Sequence, residues 1–260
     1  MARRRNYNRR RRGRFGFLYK LLSVLAICAV IVVALTLFFR VDTITITGED
    51  RYSEAEIIEA TGLSTGDNLF LLNKYAIAED LLKKLPYIAQ VRINRVLPDT
   101  LTIDVTESDA VLAVVQEGSA WLVSPEGKIV EQRVASAAKD LAKIDGCELL
   151  APSVATPIAL STDRSIQQES LLALLKALDE KKMIDQVQAI HLADLTILSM
   201  DYAQRFRVEM PYGADYPYKL RTLQTILDSG KIESNEVGTI RMTGNDGQNE
   251  IGRASCRERV

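Results

Sequence analysis

The residue types that could support catalysis are sparse in this 260-residue chain. Cys147 and His191 form the one cysteine–histidine pair between residues 41 and 249, and a thiol beside an imidazole can act as nucleophile and base. However, Asp145 and Glu148 flank the cysteine, and nearby acids raise a thiol pKa and disfavour the thiolate. His191 stands in an apolar stretch that is typical of a packed strand. The chain contains one histidine, which argues against a zinc site because such sites need several ligands.

Carboxylate chemistry has little more support. Hydrolysis by paired acids needs two carboxylates that face each other across a cleft, and the acids of residues 41–249 are scattered along the chain. Asp99, Asp104 and Glu107 lie beside a predicted strand, where a solvated face is the ordinary interpretation. We therefore predict no catalytic residue, no cofactor and no metal, and we predict that the protein is not an enzyme.

The N-terminal 40 residues predict a membrane anchor. Residues 1–20 carry nine Arg and Lys and no acid, and residues 21–39 are uncharged. A helix of that length spans about 30 Å of hydrocarbon. The basic tail is predicted to stay in the cytoplasm, so that the bulk of a single-pass type II protein lies outside the cell membrane. A cleaved signal peptide is the alternative, but the apolar run is long and lacks a small-x-small cleavage site.

The charge balance differs on the two sides of this span. Residues 1–40 hold ten of the 33 basic residues and none of the 34 acids, so the remaining chain has a net charge of −11. An acidic outer part disfavours nucleic acid as its partner. For the arginine block, a topology signal that also contacts anionic lipid headgroups is favoured over nucleic-acid binding. Cys28, Cys147 and Cys256 are predicted to form no disulfide with one another.

The last eleven residues, EIGRASCRERV, are interpreted separately. Their back-translation resembles a common sequencing adapter, so residues 250–260 are predicted to be an artefact, with a natural basic tail as the alternative. They are left out of the fold prediction.

Residues 41–110 predict a β-α-α-β-β module. Val41–Thr47 and Leu101–Val105 alternate apolar and polar residues as strands do, and a further strand begins at Val91. A capping box opens at Ser53, and a second helix ends at Pro86. A three-stranded sheet with two helices on one face buries the apolar positions of this pattern.

Residues 111–249 predict a mixed, β-rich domain with helices, so the fold class is α+β. The predicted strands are Ala110–Val115, Ala120–Val123, Lys128–Glu131, Ala142–Ile144, Val187–Leu192, Leu195–Met200, Arg205–Met210 and Thr239–Met242. One helix carries a leucine stripe after a capping box of Ser165 and Gln168, and another starts near Pro217 and stops near Gly230.

Together these features resemble the FtsQ/DivIB bacterial cell-division proteins. The stretches that carry the resemblance are VDTITITG at 41–48, GDNL at 66–69, LPYI at 85–88, VRINRVLPDTLTIDV at 91–105, WLVSPEGKI at 121–129 and GTIR at 238–241, and it covers roughly residues 15–245. The resemblance implies a POTRA domain at 41–110 and the family's β domain at 111–249. Residues 132–165 fit the pattern least well.

The resemblance also implies a function. It implies a non-enzymatic scaffold of the divisome, at the division septum, that binds FtsB/DivIC-like and FtsL-like proteins and helps to control the septal peptidoglycan synthase. A partner segment is expected to add to the last strand. By position, the partner-binding residues are Arg221, Thr239, Ile240, Arg241 and Met242.

Several alternatives stay open. Residues 239–242 fit an ordinary internal strand as well as a binding edge. For the 41–110 module, the resemblance favours a docking role over a spacer between the membrane and the β domain. A membrane-anchored enzyme of sortase-like type is the rival function. In sortases the catalytic histidine normally precedes the cysteine in the sequence, whereas here Cys147 precedes His191. A POTRA module of an outer-membrane assembly protein would need a large β-barrel, which residues 111–249 do not predict.

Overall fold

The computed structural model describes residues 14–48, 51–109, 112–229, 236–242 and 250–253. Helix α1, Arg14–Phe38, is a single 25-residue helix. Within it, Phe17–Thr36 has a mean hydropathy of 2.6 and no buried residue, so by length and composition it can cross a membrane. The predicted span lies in this helix, apart from Phe39, which follows its end.

The membrane-proximal module has the predicted order of elements. It contains β1 Thr43–Thr47, α2 Glu54–Thr61, α3 Lys74–Lys84, β2 Ile88–Val96 and β3 Thr100–Glu107. The sheet order is β1-β3-β2, with β1 parallel and β2 antiparallel to β3. The capping box at Ser53 forms, and Gly62 ends α2 in the left-handed conformation at φ 67°. Alternation in β3 buries Leu101, Ile103 and Val105, because successive strand residues face opposite sides.

The second domain is built on one nine-stranded sheet. Its strands are β4 Leu112–Gln116, β5 Ser119–Val123, β6 Ile129–Val134, β7 Ala142–Asp145, β8 Val187–His191, β9 Ile197–Tyr202, β10 Phe206–Pro211, β11 Gly238–Arg241 and β12 Glu250–Arg253. They lie in the order β12-β11-β10-β9-β8-β7-β4-β5-β6. The mixed α+β fold class is thus confirmed. The predicted start of the first of these strands, Ala110, lies outside the described residues.

Two helices cover one face of this sheet. They are α4 Ser165–Glu180 and α5 Tyr216–Asp228. The leucine stripe of α4 and Leu220 and Leu223 of α5 share one core with Met200, Val208 and Ile240 from the strands. Pro217 lies in the first turn of α5, as predicted. The predicted end of this helix, Gly230, lies outside the described residues.

The predicted capping box at the start of α4 is wrong. Ser165 is the first residue inside the helix, because a 3-10 turn at Thr162–Arg164 leads directly into it, and Arg164 at the cap position makes no side-chain cap bond. Gln168 instead accepts a hydrogen bond from the backbone N–H of Leu160, with an N–O distance of 2.7 Å. Its amide therefore fixes the loop that enters the helix.

The two domains are joined by buried contacts. The Lys128 ammonium, on the turn before β6, donates to the carbonyls of Leu82 and Ile88 at 2.7 and 3.1 Å. Burial lowers the pKa of this lysine. The Tyr87 hydroxyl donates to Glu131 at 2.5 Å, and the Tyr87 ring packs in a small core with residues of β4, β5 and β6. The membrane-proximal module is therefore fixed against the β6 end of the large sheet.

Gly48 is required where β1 ends. Its φ is +83°, and a Cβ there would lie 2.2 Å from the Val105 carbonyl oxygen, whereas a Cβ at Gly118, with a φ of +79°, would meet nothing within 4 Å. We expect Gly118→Ala to cost about 1 kcal/mol of unfolding free energy, through left-handed backbone strain alone. We expect Gly48→Ala to cost about 3 kcal/mol or more, since backbone must also move. Urea denaturation of both variants in one detergent would test this, and equal losses would contradict the close approach.

Candidate partner-binding edge

Strand β11 contains most of the predicted partner-binding residues, and the strand alternation divides them. Ile240 and Met242 are fully buried in the core beneath the helices. Thr239 and Arg241 point to the opposite, helix-free face, where Arg241 is exposed and donates to Glu209 on β10 at 3.0 Å. A partner can therefore reach the side chains of Thr239 and Arg241, whereas Ile240 and Met242 hold the strand in place.

Arg221 belongs to a different surface. It is exposed on α5, where it lies between the buried Leu220 and Leu223 in the sequence. Helix α5 covers the face of the sheet towards which Ile240 points. The structure therefore places Arg221 on the helical layer and Thr239 and Arg241 on the other side of the sheet. Only a partner that wraps around the edge of the sheet would contact both.

The main-chain groups of β11 show which residues are available for strand pairing. The N–H groups of Gly238 and Met242 donate to carbonyls of Arg205 and Glu209, at 3.2 and 2.8 Å, on the β10 side. Because alternate residues of a strand bond to the same neighbour, the N–H groups of Thr239 and Arg241 point away from β10. They face the outer edge of β11.

In the structure, this outer edge is occupied by β12. The pairing is antiparallel, with Thr239 opposite Gly252 and Arg241 opposite Glu250. Residues 250–260 are predicted from the sequence to be an artefact, and without them no other strand of the described residues pairs with the outer edge of β11. The pairing with β12 shows that the outer edge of β11 can bond to an antiparallel strand.

A charged network that sequence reasoning missed crosses the helix-free face. His191 on β8 binds Asp145 on β7 through Nδ1 at 2.8 Å and Asp201 on β9 through Nε2 at 3.0 Å. Arg207 on β10 donates from Nε to Asp201 at 2.9 Å. The only signal in the sequence was that each residue occupies a polar position in an alternating strand, which does not reveal which strands are neighbours.

The protonation of His191 follows from these partners. Burial alone would lower its pKa, but the hydrogen bonds and charges of Asp201 and Asp145 outweigh it and raise the pKa above the ordinary 6.5. Burial likewise opposes ionisation of Asp201, yet Arg207 and His191 hold its pKa below the usual value. The two carboxylates therefore favour the charged form of His191 more than water does, and Arg207 extends the network through Asp201.

An open depression of about 560 Å³ adjoins this network. Asp201 and Arg207 line one side and Gly238 and Thr239 of β11 line another, with Phe206 between them. It brings the charged network and the outer part of β11 onto one continuous surface. This surface, together with the edge of β11, is the candidate partner-binding site.

The arrangement is unsuited to the cysteine chemistry of the rival function. Burial raises the pKa of the Cys147 thiol to about 11, and the Asp145 charge adds to the effect while Arg164 opposes it. Both nitrogens of His191 are bound to carboxylates. The thiol is therefore protonated at neutral pH, and no ring nitrogen is available to activate it.

The sequence also contains a lysine three residues after a serine, at Ser136 and Lys139, a pair that the predictions above do not include. Spacing of this kind occurs in acyl-serine enzymes. Here both residues are exposed around the 3-10 turn Ala135–Ala138 on the surface. Such a turn provides neither the cleft nor the burial that lowers a lysine pKa for base catalysis.

Among the described residues, no group of three His, Cys, Asp or Glu could hold a metal ion. The His191 network illustrates the reason, because its two carboxylates bind opposite nitrogens of the ring and do not converge on one point. Arg207 also supplies a positive charge beside Asp201.

Comparison with known families identifies the membrane-proximal module. Residues 39–108 match the family model described as POTRA domain, FtsQ-type. The chain carries an FtsQ-type POTRA domain. The match covers α2, α3 and all three strands of the β1-β3-β2 sheet, together with the short segment that connects them to α1.

Relatives extend the similarity beyond the POTRA domain. The chain is 27% identical to the cell division protein DivIB of Clostridium acetobutylicum over 207 residues, which cover 79% of this chain and 81% of that protein. It is 28% identical to the cell division protein FtsQ of Corynebacterium glutamicum over 113 residues, 44% of this chain and 49% of that one. It is also 28% identical to the cell division protein FtsQ of Geotalea daltonii over 160 residues, which cover 62% of this chain and 56% of that protein. The predicted resemblance to FtsQ/DivIB proteins is confirmed.

The pKa of His191 can be measured without ambiguity, because the chain contains one histidine. We expect its ring-proton resonance to titrate above pH 6.5, and we expect Asp201→Asn to lower the midpoint by removing one of the two carboxylates that stabilise the charged ring. Asp109→Asn, which removes an exposed carboxylate paired with Arg51 in the POTRA domain, is the control and should leave the midpoint unchanged.

The raised pKa of His191 also determines how the stability of the fold changes with pH. A raised folded pKa contributes stability that is fully present below the unfolded value of about 6.5 and is lost as the pH rises through the folded pKa. The destabilisation caused by His191→Gln should therefore shrink as the pH rises above about 6.5. A destabilisation by His191→Gln that grows with pH would contradict the raised pKa of His191.

Proposed function

We propose that this chain is a membrane-anchored scaffold of the bacterial division complex, with no catalytic activity of its own. Three features support the proposal: an apolar helix of membrane-spanning length, an FtsQ-type POTRA domain, and similarity over most of the chain to a protein named for cell division. The basic N-terminus is cytoplasmic and the two folded domains lie outside the membrane, at the division septum.

The proposed partners are FtsB/DivIC-like and FtsL-like division proteins. The observation that carries this part is the outer edge of β11, which aligns an antiparallel strand opposite Thr239 and Arg241. A partner segment would take the position that residues 250–253 occupy here. Main-chain hydrogen bonds would supply much of the affinity, and the side chains on alternate positions would supply selectivity. Through these partners the scaffold would help to control septal peptidoglycan synthesis.

The exposed Arg241 gives this edge a chemical preference. The Arg241 guanidinium is exposed and has one carboxylate partner, Glu209, and Arg207 lies opposite Thr239 in the parallel register. A partner strand with an acidic side chain opposite Arg241 would meet this guanidinium at the edge, whereas Arg207, one strand further in, is bound to Asp201. Charge-assisted hydrogen bonds of this kind are stronger than neutral ones.

Proline substitution tests strand addition at β11. Thr239→Pro removes an N–H that faces the outer edge and leaves the bonds to β10 intact. We expect it to weaken binding of a DivIC-type ectodomain by about tenfold or more, because an unmade buried hydrogen bond costs roughly 1–3 kcal/mol. Titration with the purified ectodomain measures the change.

The matched control is Thr239→Val, which keeps both the N–H and the side-chain shape. Ile240→Pro is unsuitable, because Ile240 is a core residue and its N–H faces β10. Wild-type affinity in Thr239→Pro, with an unchanged circular dichroism spectrum, would remove this edge from the interface.

Localisation tests the cellular role. An N-terminally tagged copy is expected to form a band at mid-cell in constricting cells of the source or a close relative, because division scaffolds collect at the septum. The control is the same fusion cut after α1. A uniform membrane outline for the full chain, identical to that of the control, would contradict a role at the septum.

A further inference from the structure

The end of the anchor helix is bound to the POTRA domain by main-chain and side-chain contacts. The backbone N–H of Leu69 donates to the carbonyl of Phe39 at 2.9 Å, just past the end of α1. The amide of Asn68 donates to the carbonyl of Thr36, inside the last turn of the helix, at 3.2 Å. The loop before α3 is therefore held at the level where the apolar helix ends.

Aromatic rings continue this contact outwards. Phe39 packs edge-to-face between Phe38, with ring centroids 5.2 Å apart, and Phe70, at 4.9 Å. Phe38 is two residues beyond Thr36, the last residue of the apolar window. At 1.5 Å per residue it lies about 3 Å beyond the apolar window along the helix axis. Phe39 links its ring to that of Phe70, so Phe70 lies beside the end of the anchor helix.

The tip of the loop presents large apolar side chains to the outside. Leu71 is 79% exposed, Tyr75 at the start of α3 is 88% exposed and Phe70 is 53% exposed, while the neighbouring Leu69 is fully buried. The tip is rigid enough to hold this arrangement, since the Asn68 side chain accepts from the N–H groups of Phe70 and Leu71 at 3.0 and 3.3 Å. We call Phe70, Leu71 and Tyr75 the apolar tip.

We propose that the apolar tip inserts into the interfacial region of the outer leaflet and is a second membrane contact of this protein. The lipid bilayer is the occupant that the structure favours, because the tip is continuous with the end of the anchor helix and carries aromatic residues, which prefer membrane interfaces. The proposal rests on the membrane anchorage in the proposed function.

The consequence is a fixed orientation of the outer domains. A single helix followed by a free linker would let the POTRA domain rotate and tilt. With the tip embedded beside the helix end, the domain has two separate points of contact with the membrane. The direction in which the large sheet leaves the surface is then set by α2, α3 and the buried domain junction.

Tryptophan quenching tests the contact in the full-length protein. Leu71→Trp, Val30→Trp in α1 and Leu195→Trp would each be reconstituted into phosphatidylcholine vesicles, with or without bromine atoms on the acyl chains near the glycerol backbone. All three native residues are exposed, Leu195 at 75% in the second domain, so the fold should tolerate each change. The wild type, with its one native tryptophan, provides the blank.

We expect the added tryptophans of Leu71→Trp and Val30→Trp to emit at shorter wavelength and to be quenched by brominated lipid. The fluorescence of Leu195→Trp should be quenched no more than that of the wild type. Quenching at Val30 with none at Leu71 beyond that at Leu195 would overturn the lipid contact and leave the anchorage intact. An unquenched Val30→Trp would overturn the anchorage and the lipid contact with it.

Discussion

The partly buried Lys128 ammonium between two carbonyls of the POTRA domain is the contact on which the arrangement of the whole outer part depends. The carbonyls of Leu82 and Ile88 belong to the end of α3 and the start of β2, whereas Lys128 precedes β6 of the large sheet. Removal of the ammonium would leave two carbonyls without this donor in a partly buried site, which costs more than the bond itself contributes. Tyr87 strengthens the same junction, because burial and its bond to Glu131 raise its pKa to about 12 and keep the hydroxyl a donor at physiological pH.

Strand alternation then separates two tasks within the four residues of β11. The N–H groups of Gly238 and Ile240 face β10, and the Ile240 side chain lies in the core. The N–H groups of Thr239 and Arg241 face the outer edge, and their side chains lie on the helix-free face. The predicted set of site residues combined these two kinds. A strand with fully buried Ile240 stays in place when a partner binds at its edge, so the main-chain donors are positioned before binding and little ordering entropy is lost.

Local signals predicted most elements of this fold. The capping box at Ser53, the end of a helix before Pro86 and the alternation of Leu101, Ile103 and Val105 each depend on neighbours in sequence.

The arrangement of strands could not be predicted in this way. The order β10-β9-β8-β7-β4 contains two parallel pairings, β4 with β7 and β7 with β8. The chain passes through β5 and β6 between the first pair and through α4, with its buried leucines, between the second. For the same reason the contact of His191 with Asp145, 46 residues earlier, had no signal in the sequence. The capping box expected at Ser165 failed because the preceding 3-10 turn takes the place of a cap.

The strand order also fixes how far the proposed binding edge lies from the POTRA domain. The POTRA domain contacts β4, β5 and β6, and β11 is seven strand positions from β6 in the sheet order. At about 4.8 Å per strand, this is roughly 34 Å across the sheet. The network of Asp145, His191, Asp201 and Arg207 ties four of the intervening strands together by their side chains. A partner that adds to β11 must therefore extend a segment to a fixed position well away from the POTRA domain. A rigid junction at one end and a cross-strand network in the middle make that distance a property of the fold.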